Sequence, residues 1–66
     1  MTINEMKKNA KKKMNDEIAY LVAGLSTVRQ VRAILCAYAY VGLVSDVEYI
    51  EYCDRIRSEL YNLENQ

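Results

Sequence analysis

The sequence predicts an all-α fold of three helices, and three observations predict it. Proline is absent, and glycine occurs only at Gly24 and Gly42 in a chain rich in strong helix formers. Three capping patterns, Thr2 with Glu5, Thr27 with Gln30 and Ser45 with Glu48, each precede apolar residues spaced three and four apart. The two glycines follow the first two of these runs, where a left-handed residue ends a helix. Helices are therefore expected over about residues 3–24, 27–41 and 46–63.

In the first helix the Thr2 hydroxyl is expected to cap the Glu5 amide while the Glu5 carboxylate reaches back, so the helix begins at Ile3. Ile3, Met6, Ala10, Met14, Ile18, Leu21 and Leu25 form its apolar stripe, thin at the start and strong at the end. Ser26 or Thr27 can cap the second helix, whose stripe is Val28, Val31, Leu35, Tyr38 and Gly42. In the third, Val44 can staple against Tyr49 across the cap, and Tyr49, Cys53, Ile56, Leu60 and Leu63 face one way. Short turns make neighbouring helices antiparallel, an up-down-up bundle with spans of roughly 32, 21 and 27 Å. Residues 1–66 then form a single helical domain, and the excess length of the first helix leaves residues 1–13 as a basic helical overhang. Such an overhang frays or finds a partner.

A chain of 66 residues buries only about 60% of the surface it exposes when unfolded, so its core needs help. There is no His, and Cys36 and Cys53 stand too far apart for a zinc-ligand pair, so no metal and no cofactor is expected. Two cysteines within apolar helical stretches are expected to be reduced, buried small hydrophobes rather than a disulfide. Helix packing and self-association remain, which predicts a homodimer or higher oligomer. The lysines before Ile18–Leu25 suggest a signal peptide, but Asp16 and Glu17 interrupt the transition and no cleavage pattern follows. The longest apolar run, Ala33 to Val44, falls well short of the roughly 20 residues that span a bilayer. No membrane partner is expected, and the cytoplasm is the expected compartment. Without His, and without room for a cleft of roughly several hundred Å³, the chain is not expected to be an enzyme. Asp16 with Glu17, and Glu48 with Glu51, read as solvated helix-end charges.

Net charge is zero, yet the charges are segregated. Residues 1–13 carry Lys7, Lys8, Lys11, Lys12 and Lys13 against Glu5, a net of +4. Residues 46–66 carry six acids against Arg55 and Arg57, a net of −4. An up-down-up course would bring the lysines toward Asp46, Glu48, Glu51 and Asp54. These contacts could lie within one chain, or join the basic overhang of one copy to the acidic helix of another. The lysine cluster also offers a surface for phosphates. A helix-turn-helix reading would make the third helix the recognition helix, but the four acids in its first turns repel phosphate, which argues against specific DNA binding.

The second helix has an apolar surplus. Opposite its core stripe lie Ala33, Cys36, Ala37 and Tyr40. Either a tight bundle buries the middle helix on all sides, or this face meets another molecule, where the small Ala33 and Ala37 permit close approach. Tyr40 and, off the stripe of the first helix, Tyr20 are rigid amphipathic rings of the kind that anchor interfaces.

The segment Gly42 to Tyr49 reads G-L-V-S-D-V-E-Y and leads into a helix with Ile56 and Leu60. It resembles the SHOCT-type short helical module, a compact C-terminal hairpin of many bacterial proteins. The resemblance covers roughly the last third of the chain, Gly42 to Leu60, and rests on Gly42, Leu43, Ser45, Glu48 and Tyr49. It implies a bacterial or bacteriophage setting and an association role. The chain departs from the pattern in being free-standing and in its long basic first helix, so no site residue is carried over. The expected function is a protein–protein interaction protein that self-associates and occupies a surface on a larger protein. A small regulator or inhibitor of a host system such as a defence nuclease, anti-CRISPR-like, fits that expectation. A basic-armed nucleic-acid accessory protein and a purely structural oligomerisation module are the alternatives.

Overall fold

The computed structural model describes residues 1–64 and consists of three helices: α1 (Ile3–Val22), α2 (Val28–Tyr40) and α3 (Asp46–Glu64). Among the described residues there is no strand. Their boundaries follow from local chemistry. The Thr2 and Thr27 hydroxyls accept from the Glu5 and Gln30 amides at 3.1 and 3.2 Å. Only the third cap closes in both directions: the Glu48 amide donates to Ser45 Oγ at 3.2 Å, and the Ser45 amide donates to Glu48 Oε1 at 3.0 Å. At Thr2 the Glu5 carboxylate accepts from the hydroxyl instead of the backbone amide.

Both glycines stop their helices in the same way. Gly24 (φ +78°) donates to the Leu21 carbonyl and Leu25 to that of Tyr20, while Gly42 (φ +82°) donates to Ala39 and Leu43 to Tyr38. These paired bonds satisfy carbonyls that the helix leaves open, and the positive φ they require favours glycine. The helical spans accordingly end at Val22 and Tyr40, one or two residues before the expected 24 and 41.

All three helix pairs touch. Met14, Ile18 and Leu21 from α1, Val31 and Leu35 from α2, and Tyr52 and Ile56 from α3 form one core together with Val44 from the second turn. The molecule measures 41 × 21 × 15 Å. With side chains a single helix is about 10–12 Å across, so the thin direction holds little beyond the core itself. Part of the expected stripe is consequently uncovered. Ile3 (65% exposed), Met6 (39%) and Leu25 (77%) lie at the two ends of α1, beyond the reach of the core cluster. Gly42 and Leu63 are exposed in the same way at the end of α2 and near the end of α3.

Among the described residues one buried group is charged. Glu17, expected as a solvated helix-end charge, is 3% exposed, accepts from Ser26 Oγ at 3.4 Å and pairs with Lys13 at 3.0 Å. Ser26 thus serves Glu17, and Thr27 caps α2. The two contacts compensate the burial of the carboxylate, and the one from Ser26 ties α1 to the first turn.

Met14 and Ile56 have no exposed surface. Truncating either to Ala should cost about 2–5 kcal/mol of folding free energy, whereas Leu25→Ala should stay within about 0.5 kcal/mol. Urea denaturation followed by circular dichroism checks both; equal losses at core and turn would contradict this core.

Candidate functional site

Two surfaces hold the residues singled out in the sequence, and each is positioned by the core. Val31 and Leu35 turn inward on α2 and are buried, with Val28, Ile34 and Tyr38 packed beside them. Helical geometry then places Ala33, Cys36, Ala37 and Tyr40 on the side of α2 opposite Val31 and Leu35. All four are exposed, and Tyr40 shows 92% of its surface. The reading in which the bundle buries α2 on all sides is therefore corrected: two neighbours in a thin molecule cover only its inner half.

Cys36 is likewise not a buried small hydrophobe. Its thiol is exposed and lies 3.6 Å from the Tyr49 hydroxyl of α3, close enough to hydrogen-bond, while Cys53 is half-buried; both cysteines are free. That hydrogen bond and the negative charge the two thiols acquire on ionisation push the Tyr49 phenol above its ordinary 10.0. More apolar surface flanks the second turn, where Val41, Val47 and Ile50 are each more than half exposed. Tyr20, on α1, is 46% exposed.

The second surface joins α1 to α3. Lys11 Nζ meets Glu48 Oε2 at 3.0 Å, and Arg55 donates to Asn15 Oδ1 at 2.8 Å. Arg55 also stacks over the Tyr52 ring, 5.8 Å from its centroid. Tyr52 is buried, which pushes its phenol upward, and the nearby Glu48 adds to that push. The hydrogen bond that Lys11 donates to the Glu48 carboxylate is the main reason its ammonium is raised from its ordinary 10.5.

The other charges go elsewhere. Lys13 turns to Glu17, and Asp54 pairs with Arg57 on its own helix at 3.6 Å. Asp46 and Glu51 are exposed without an ion pair among the described residues. Lys7, Lys8 and Lys12 also stand exposed and unpaired there, on a segment in which every residue from 1 to 9 is exposed. Glu48 thus has two roles, as partner of Lys11 and as the reciprocal half of the α3 cap.

Sequence reasoning overlooked the Arg55–Asn15 contact and the burial of Tyr52. For Tyr52 a signal existed: it lies three residues after Tyr49 and four before Ile56, so it borders the arc of the expected stripe, within about 60° of both residues around the helix. Among the described residues no helix is long and apolar enough to cross a membrane. No protein-family model, curated protein or solved structure matches the chain.

The Ser45 amide, followed by Lys11, holds the Glu48 carboxyl down at about 2, against its ordinary 4.5. A carboxyl lowered on folding contributes stability that is present above about pH 4.5 and is lost as pH falls toward 2. Glu48→Gln should therefore flatten the fall in stability across that window and lower stability at neutral pH. Urea midpoints from pH 2 to 7 check this; an unchanged acid profile would contradict the assigned role of Glu48.

Proposed function

We propose that this chain is a non-enzymatic, all-helical interaction protein that self-associates through the outer face of α2. The observation that carries this reading is the uncovered face of Ala33, Cys36, Ala37 and Tyr40, with the Tyr40 ring 92% exposed. Tyrosine loses little conformational freedom on binding and offers both apolar area and a hydroxyl, which suits a contact surface better than open water. Alanines one turn apart let a second helix come close. The up-down-up course belongs to the same reading, supported by the partners Lys11–Glu48 and Asn15–Arg55, which advance together along α1 and α3.

In its cellular role the assembled protein is a small bacterial or phage regulator or inhibitor, in the cytoplasm, that occupies the surface of a larger protein such as a defence nuclease. The SHOCT-type resemblance of Gly42 to Leu60 supports the setting. The exposed α1 segment with its unpaired lysines offers a separate surface for that larger partner.

One observation favours a second reading. Lys7, Lys8 and Lys12 project from the exposed start of α1 without compensating acids, as phosphate-backbone contacts would require. The acids Asp46 and Glu51 near the start of α3 oppose it, so self-association and protein binding lead.

Sedimentation equilibrium of the full chain should show a dimer or larger species that Ala37→Glu dissociates; a monomer indifferent to this change would remove the α2 reading. Titration with duplex DNA at two salt concentrations should show little binding. Tight binding that weakens steeply with salt would instead establish the nucleic-acid reading.

A further inference from the structure

Arg29, Ala33, Cys36 and Tyr40 fall on one arc of α2 at 100° per residue, and all four are exposed. Their order is a cation, two small side chains and an aromatic ring, at successive separations of four, three and four residues. That spacing reads the same from either end. Arg29 has no ion pair, hydrogen bond or ring contact among the described residues. It also stands in the first turn of α2, which contains no acid, so the positive end of the helix dipole opposes it. The helix itself gives this arginine nothing to do.

Resting on the self-association proposed above, we infer that two copies of this chain pair through antiparallel α2 helices about a two-fold axis. Arg29 of each copy lies over the Tyr40 ring of the other, and Ala33 meets Cys36 across the axis. A two-fold contact requires that when one residue meets a second, the second meets the first, and the symmetric spacing of the four positions meets that condition. The small central residues let the backbones approach, while the cation finds the face of an aromatic ring.

Charge selects the antiparallel sense. In it, each Arg29 reaches the carbonyl end of the partner's α2, where the helix dipole attracts a cation. The two arginines are then separated by eleven residues of rise, roughly 16 Å. A parallel pairing would set Arg29 against its own copy at the positive ends of both helices. One 13-residue helix pair covers less than the roughly 1,200 Å² of a standard stable interface, so the association is weak, with a Kd of micromolar order.

The test uses Arg29→Glu and Tyr40→Lys in the full chain, each checked for unchanged helicity by circular dichroism. Both positions are on the surface, so neither change disturbs the core. Sedimentation equilibrium should show each variant alone associating at least about ten-fold more weakly than the parent chain. An equimolar mixture should recover the association, because one end of the heterodimer then joins the new carboxylate to the new ammonium while the other retains Arg29 over Tyr40. If the parent chain dimerises and Ala37→Glu dissociates it, but the mixture shows no recovery, this pairing is overturned while self-association through α2 stands. A parent chain that stays monomeric up to about 1 mM overturns both and assigns the face to a different partner.

Discussion

Met14, Leu35 and Ile56, one side chain from each helix and each at most 1% exposed, belong to the one core cluster that joins the three helices, and the rest of the described residues are arranged around it. A chain of this length has no second core to fall back on. Whatever a helix presents outward is decided by which residue it commits to this cluster. On α2, Leu35 and Val31 face inward, so Ala33, Cys36, Ala37 and Tyr40 are left exposed, and Cys36 reaches α3 at the Tyr49 hydroxyl. On α1, the commitment begins only at Ala10, and everything before it is exposed. The two candidate surfaces are thus consequences of a core too small to cover its own helices.

Polar contacts refine this arrangement. Glu17 is sequestered and matched by Lys13 and Ser26, and Glu48 closes a cap while holding Lys11. Both carboxylates sit at junctions, one between α1 and the first turn, the other between α1 and the start of α3. Exposed ion pairs contribute little individually. Their value here is directional, because they fix which side of α1 meets the turn and which meets α3.

Much of the fold was legible in the sequence, since the local signals agreed with one another. The three capping residues, the two positive-φ glycines and the inward placement of Met14, Ile18, Leu21, Val31, Leu35 and Ile56 all follow from spacing and backbone chemistry. Periodicity tells which side of a helix faces inward, yet it does not tell how far the neighbours extend. For that reason Ile3, Met6 and Leu25 looked like core and are exposed. Nor does it reveal side-chain reach: Glu17 occupies an inward position that a charge enters only because Lys13 and Ser26 can both touch it. The outward α2 residues could be named from the helical wheel, but whether the chain covers them depended on the thickness of the bundle, a three-dimensional quantity.

The two turn glycines carry a consequence of another kind. A side-chain carbon built on Gly24 or Gly42 would meet nothing within 4 Å. Space therefore does not exclude other residues at these positions; the handedness of the backbone does, at φ +78° and +82°. The preference for glycine comes from the local backbone, where an L-residue's Cβ would crowd its own carbonyl, and not from surrounding groups. For a mirror-image alanine these dihedrals are the relaxed ones, so both turns would accept a D-residue without strain while the unfolded chain lost part of its freedom.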